Sequence, residues 1–198
     1  MKTKIYIVTF LFICTLISCK KETFTDYKFA DRPIALPCND LDSKLYNEAL
    51  LSFEQDILNF FGKDKKTNLR ISYSRFLRLA SYNRVDYKKI VSEHSLKVFE
   101  ALKKETNLWE TNNATTHLNY HGKLMDCISK NVKSADLKTT LNALLTTNSM
   151  SAKLFSAPIA SNYNAVINDK ALACYVAFDL YYAKLFDVDF SKPESTTK

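Results

Sequence analysis

Glycine is almost absent from this chain, which has only Gly62 and Gly122 among 198 residues. Glycine supplies the positive φ angles and close backbone approaches that phosphate-binding loops, nucleophile elbows and tight hairpin turns require. A chain this poor in glycine argues against nucleotide-binding folds, the common serine hydrolases and most β architectures. It favours a fold built from helices.

Apolar residues recur every three or four positions along most of the chain, which is the spacing of an amphipathic helix. Helix N-caps are indicated at Asn39 or Asp40, at Asp86 and at Ser134. The pattern predicts one all-α domain over 39–190, an irregular bundle of five to seven helices. The predicted helices cover 39–61, 69–82, 86–105, 116–132, a stretch that follows Ser134, and 169–186.

The last predicted helix is apolar on nearly every face. Eight apolar residues follow one another over 171–178, and after them only Asp179 and Lys184 interrupt the pattern. Because a helix that is apolar all round is usually buried all round, we expect it to lie at the centre of the bundle. The polar tail over 191–198 is expected to be loose.

The N-terminus carries a distinct signal. Lys2 and Lys4 precede an apolar run over 5–17, which Leu16-Ile17-Ser18-Cys19 closes. This stretch resembles the signal peptide and lipobox of a bacterial lipoprotein. The resemblance implies that 1–18 is removed, that the Cys19 thiol receives a diacylglycerol, and that the mature chain is anchored to the membrane through this lipid. The apolar core of about 13 residues is shorter than the roughly 20 that a spanning helix needs.

The same resemblance predicts attachment to the cell membrane. Lys20 is not the aspartate that typically retains such lipoproteins in the inner membrane, which favours the outer membrane; the periplasmic and the surface side both stay open. Residues 19–38, which contain Pro33 and Pro37, are expected to form a tether. Loss of Lys2 and Lys4 lowers the 28 basic residues to 26 against 21 acidic ones, a net charge of +5. This mild excess suits a membrane surface, and we expect no nucleic acid partner.

Three cysteines remain once Cys14 leaves with the signal and Cys19 carries lipid. An odd number allows at most one intramolecular disulfide. We expect the bond between Cys38 and Cys127, because a staple at Cys38 would fix the start of the fold. Cys174 is expected to be a buried apolar side chain.

Asp179 is the most unusual residue of the last helix, because its predicted helical neighbours are almost all apolar. One interpretation is a buried carboxylate that accepts hydrogen bonds from a tyrosine, an arginine or a helix end. The other is a carboxylate with a raised pKa that lines a pocket. The sequence leaves both open.

Four of the five arginines fall within a short stretch. Guanidinium groups bind carboxylates and phosphates through a planar fork, so this stretch predicts a surface for an anionic partner. The alternatives are pairing within the chain, for which Asp179 is one candidate, or a plain solvated face. The residues are Arg70, Arg75, Arg78 and Arg84.

His117 and His121 are four residues apart on a predicted helix, a spacing that can hold a metal ion. Supporting ligands are few, and packed histidines explain the pattern equally. We therefore expect no metal and no other cofactor, and the pair stays a weak candidate.

The function that these features favour is a lipid-anchored envelope lipoprotein that acts as a non-enzymatic binding or scaffolding module. Its partner would be another envelope protein or an anionic ligand that contacts the arginine-rich helix. The alternative is a small-ligand-binding protein or hydrolase-like enzyme with a pocket around Asp179. A dry, fully paired Asp179 would favour the first, and an open pocket there would favour the second.

Overall fold

The computed structural model describes residues 23–62, 68–110 and 116–191, which form helices joined by irregular segments. The predicted signal peptide, the predicted lipidation site Cys19 and most of the polar tail lie outside the described residues. Within the described ranges the only β pairing is one antiparallel bridge between Trp109 and Leu118. The all-α prediction is confirmed.

Seven long helices and two short ones make up the described part of the chain. In the ninth helix, Val176–Tyr182 is a π-helix between two α-helical ends, Lys170–Tyr175 and Ala183–Leu185. No helix in the described ranges is long and apolar enough to span a membrane. The first eight helices are α1 (Ser43–Phe61), α2 (Leu69–Ser81), α3 (Tyr87–Ile90), α4 (Glu93–Leu102), α5 (Lys123–Asn131), α6 (Ala135–Thr146), α7 (Ala152–Ser161) and α8 (Tyr163–Asn168); the ninth is α9.

Helix α9 is the centre of the bundle, as its sequence predicted. All of 171–183 is buried, and α9 packs against α1, α5, α7 and α8. Its tyrosine hydroxyls donate hydrogen bonds to α1: Tyr182 to the Ala49 carbonyl at 3.1 Å, and Tyr181 to Asp56 at 2.5 Å. Burying these rings satisfies both the apolar and the polar part of each side chain.

Two predicted helix starts are wrong, the first because Asp42 is the residue that caps the helix and the second because of a contact distant in sequence. Helix α1 begins after Asp42, whose carboxylate accepts from the Leu45 N–H at 3.0 Å, and not after Asn39 or Asp40. The helix predicted from residue 116 begins only at Lys123. The backbone of 116–122 is drawn away from helical geometry by its pairing with the chain around Trp109.

The helix predicted over 86–105 is interrupted between α3 and α4. Ser92 caps α4, and its side chain accepts from the Ser95 N–H at 3.2 Å. The Ser92 N–H cannot continue a helix, because it donates to the Asp56 carboxylate at 3.0 Å. A buried acceptor on α1 therefore sets the position of this break.

The segment predicted to be a tether lies against the helical body from Phe24 onwards. The Glu48 carboxylate accepts the Lys28 N–H at 2.7 Å and the Phe29 N–H at 3.0 Å. Further along, the Ala35 N–H donates to the Asn47 side chain at 2.9 Å. Composition alone did not reveal this packing, because its acceptors belong to α1.

Cys38 and Cys127 form a disulfide, with their Cα atoms 5.8 Å apart and 89 residues apart in sequence. This is the pairing that the sequence analysis favoured, and it joins the end of the N-terminal segment to α5. Cys174 is a buried free thiol on α9, and burial raises its pKa to about 12.

Candidate functional site

Asp179 lies at the centre of a closed cluster of hydroxyl groups. Its side chain is fully buried and accepts hydrogen bonds from the hydroxyls of Thr116 at 2.7 Å, Tyr120 at 3.0 Å and Tyr175 at 2.6 Å. Burial raises the pKa of Asp179, while the three hydroxyls and the charge of Lys184 act in the opposite direction. Of the two sequence interpretations, the structure has the paired carboxylate.

The π-helical segment changes the angular relation between Asp179 and Lys184. Regular α-helical geometry places these residues about 140° apart around the axis. A π-helix forms hydrogen bonds from i to i+5, which brings residues five apart closer to one face. The Lys184 charge acts against the burial that raises the pKa of Asp179.

Tyr120 of this cluster also lines a cavity. It has a volume of about 170 Å³ and is also lined by Glu110 and His121. Asp179 does not line this cavity. In the described part of the chain the carboxylate is therefore separated from that space by the Tyr120 ring.

The predicted helical histidine pair is wrong, because 116–122 is not helical. His117 Nε2 lies 2.9 Å from Asp187 Oδ1, whereas His121 Nε2 lies 2.8 Å from Asn148 Oδ1. Across the residues that the structure describes, no group of three or more His, Cys, Asp or Glu side chains is arranged to hold a metal ion.

Two of the four clustered arginines are used within the fold. Arg70 Nε donates to the Asn164 side chain at 2.8 Å, and Arg75 Nη1 donates to the Phe61 carbonyl at 3.0 Å. Arg75 thereby satisfies a backbone carbonyl at the end of α1. Neither of them binds Asp179, so the suggested arginine pairing with that carboxylate is wrong.

The other two arginines are exposed on either side of Tyr82. Arg78 has no hydrogen bond or ion pair with any described residue, and the Arg84 guanidinium lies 5.8 Å from the Tyr82 ring centroid. Tyr82 itself is 70% exposed, which is unusual for an aromatic side chain of this size. The surface for an anionic partner stays a prediction, and Arg78 and Arg84 are the two arginines of this stretch whose guanidinium groups form no hydrogen bond with the described residues.

Next to Tyr82 is a groove of about 500 Å³, here called the Tyr82 groove. It is formed by the end of α2 and the following turn (80–83), Tyr87 of α3, the start of α7 (151–153 and Ser156), and Leu180 and Lys184 of α9. This volume falls in the range of ordinary ligand sites. Sequence reasoning missed the groove, because its walls come from four separate parts of the chain.

The charge of the Tyr82 groove is entirely positive. Lys153 and Lys184 line it, and no acidic residue does. Neither ammonium group makes a hydrogen bond or ion pair within the described ranges. Several hydroxyl groups of the groove already donate to the fold: Tyr87 to the Leu180 carbonyl at 2.7 Å, and Ser81 to the Leu77 carbonyl at 2.8 Å. The ammonium groups of Lys153 and Lys184 are thus the groups of this groove that are free to bind an anion.

A separate cavity beside the groove holds acidic side chains, namely Asp86, Asp187 and Asp189. This second cavity, of about 470 Å³, shares Asn83 and Tyr87 with the groove and is lined by both acidic and basic residues. Asp86 there pairs with Lys89 at 3.1 Å. The positive end of the combined surface is thus the Tyr82 groove.

Helix α1 carries three buried carboxylates that sequence reasoning did not identify. Glu48 holds the N-terminal segment, Asp56 binds Ser92 and Tyr181, and Glu54 accepts from the Tyr73 hydroxyl at 2.9 Å. The available signal was the placement of Glu48 and Asp56 eight residues apart beside the apolar stripe. All three are bound by groups of the fold itself and so read as structural.

Comparison of the chain with protein-family models, curated proteins and solved structures finds no match.

Proposed function

We propose that this protein is a lipid-anchored, non-enzymatic binding module of the bacterial cell envelope, and that the Tyr82 groove is its contact surface. The lipobox at Cys19 supports the attachment. The observation that carries the binding role is the presence of Lys153 and Lys184 in a groove of about 500 Å³ without any carboxylate.

The state of Asp179 supports a binding role over catalysis. A catalytic carboxylate must reach a substrate, but the Asp179 oxygens are held by Thr116, Tyr120 and Tyr175, and the side chain is fully buried. Freeing this group would leave three buried hydroxyls without their acceptor. The carboxylate is better explained as a structural group.

The partner that fits the groove is an envelope protein that presents an acidic segment. Tyr82 and Leu154 are large exposed side chains next to the unpaired lysines, and Leu154 is 52% exposed. Aromatic side chains and arginines are enriched in protein contact surfaces, and the Arg84 guanidinium lies 5.8 Å from the Tyr82 ring centroid. A small anion would contact the lysines but would leave Tyr82 and Leu154 exposed to water.

The test is site-specific photo-crosslinking in cells from position 82 of the full chain. We expect a crosslink to one envelope protein through a peptide rich in Asp and Glu. The double variant Arg78→Glu with Lys153→Glu should abolish this crosslink and should weaken direct binding of the purified partner at least tenfold. Arg75 is left unchanged, because it binds the Phe61 carbonyl and its replacement would disturb α1.

The matched control is the double variant Lys123→Glu with Lys133→Glu, which changes the net charge by the same amount at exposed sites away from the groove. It should keep the crosslink and the affinity. Circular dichroism must show equal thermal stability for both double variants. An unchanged crosslink in the groove variant, or equal losses in both variants, would contradict the assignment of the groove.

A further inference from the structure

We infer that the helical body rests against the membrane that holds its lipid, through the face on which the N-terminal segment is packed. This face consists of 24–28 and the lysines around it, Lys28, Lys44 and Lys97. The inference rests on the lipid attachment at Cys19 of the proposed function, and it adds the orientation of the body on the bilayer.

The packing of the N-terminal segment is the first step. Phe24 packs against the hydrophobic core, and its ring centroid lies 4.9 Å from that of Tyr27 and 6.4 Å from that of His94. The Lys28 and Phe29 N–H groups are held by the buried Glu48 carboxylate. The chain is therefore held against the body at Phe24, five residues after Cys19.

The length of chain left between the lipid and the body is the second step. Four residues from Cys19 to Thr23 span at most about 14 Å when fully extended. A folded domain of this size is about 40 Å across, from the usual scaling of the radius of gyration with chain length. A link so much shorter than the body cannot let the body turn freely, and it keeps the face around Phe24 at the headgroups.

Three exposed lysines surround the packed segment and fit this position. Lys28 belongs to it, Lys44 Nζ lies 4.1 Å from the Tyr27 ring centroid, and Lys97 Nζ lies 2.9 Å from the Asp26 carboxylate. Ammonium groups at this depth meet the phosphates of anionic lipids.

Acidic groups are also present at this face. Asp26 binds Lys97, and the charges of Asp42 and Glu105 act on Tyr27. The orientation is therefore set mainly by the length of the link, and the lysines add a weaker attraction.

The test uses the mature chain, residues 19–198, with Cys19 coupled to a maleimide lipid in vesicles of phosphatidylcholine and phosphatidylglycerol. Cys19 is the reactive thiol of this chain, since Cys38 and Cys127 are bonded to each other and Cys174 is buried with its pKa raised to about 12. Lysine acetylation rates are then measured by mass spectrometry before and after coupling. We expect several-fold slower acetylation of the face lysines and unchanged rates at Lys133 and Lys153.

A variant with a Gly/Ser spacer of about 30 residues after Glu22 supplies the control, since a flexible link of that length reaches about 30 Å and releases the body from the surface. Protection should disappear in this variant. Equal rates with and without coupling, or protection that survives the spacer, would overturn the orientation.

Incorporation of labelled palmitate in cells tests the attachment separately, with Cys19→Ala as the unlabelled reference. If the native chain incorporates no lipid, the anchor of the proposed function fails. The vesicle measurement still decides the orientation, because its coupling at Cys19 is chemical.

Discussion

The Nε2 atom of His94 lies 2.7 Å from Oε1 of Glu48, at a buried junction between α4 and α1. The same carboxylate accepts the two backbone N–H groups of Lys28 and Phe29. One side chain of α1 thus fixes both a neighbouring helix and the segment that follows Cys19, the cysteine proposed to carry lipid.

Replacing Glu48 with alanine should therefore loosen the N-terminal segment. The change leaves three donors without their acceptor and should lower the free energy of unfolding by about 3 kcal/mol. Limited proteolysis should cut within 24–37 in the variant but not in the wild type. The control is Glu100→Ala, an exposed ion-pair residue whose loss should change stability by less than about 0.5 kcal/mol. A Glu48→Ala protein as resistant to protease as the wild type would contradict this role.

The disulfide between Cys38 and Cys127 closes a long loop and should contribute strongly to stability. Its sequence separation of 89 residues predicts a contribution of about 4.6 kcal/mol by the loop-entropy relation. The double variant Cys38→Ser with Cys127→Ser should unfold at a correspondingly lower denaturant concentration. Reducing agent should lower the midpoint of the wild type and leave that of the double variant unchanged. Equal sensitivity of the two proteins to reducing agent would show that the bond contributes little.

The pH dependence of stability should carry the signature of Asp179. Because burial raises the pKa of Asp179 from its usual 3.8, the folded protein holds this proton at pH values at which the unfolded chain has lost it. The neutral carboxyl group stabilises the fold fully below the unfolded pKa, and this contribution is lost as the pH rises through the folded pKa.

The side chain of the variant Asp179→Asn cannot ionise, so the variant should not lose this stability as the pH rises. Urea unfolding between about pH 4 and pH 8 should show the stability of the variant, relative to wild type, rising with pH. A difference in unfolding free energy that stays constant over this range would mean that Asp179 has the same pKa in the folded and unfolded chain.

Arg75 and Arg78 should differ sharply on replacement with alanine, although they lie three residues apart. Arg75→Ala removes the hydrogen bond to the Phe61 carbonyl and should cost about 1–2 kcal/mol of stability. Arg78→Ala removes an exposed side chain and should cost less than about 0.5 kcal/mol of stability. It should, however, weaken binding of the proposed partner. Thermal unfolding of the two variants measures this contrast, and equal effects would argue against it.

Features that depend on neighbouring residues could be read from the sequence. Asp86 and Ser134 stand at the helix N-cap positions where the sequence predicted them, although neither side chain forms a capping hydrogen bond in the described chain, and the uninterrupted apolar run over 171–178 identified the buried helix. These signals act within one turn of the chain, so no knowledge of the fold was needed.

Features set by distant partners could not be read in this way. The break before α4 depends on Asp56, and the irregular 116–122 depends on the chain near Trp109. Tyr175 could be named as a neighbour of Asp179 from helical spacing, but Thr116 lies 63 residues away in sequence. The acceptors and donors that decide such contacts are known only once the helices are packed.

The π-helical segment in α9 fixes how this helix sits along its own axis. The π-helical turn changes the rotation about the helix axis between the α-helical ends on either side of Val176–Tyr182. Both ends therefore face their packing partners at only one position of the helix along its axis. Removing one residue from this segment would change the angle between the two halves and so shift Asp179 relative to Tyr120. The number of residues in α9 is therefore as strictly constrained as their apolar character, and a single-codon insertion or deletion there should be tolerated far less than a substitution.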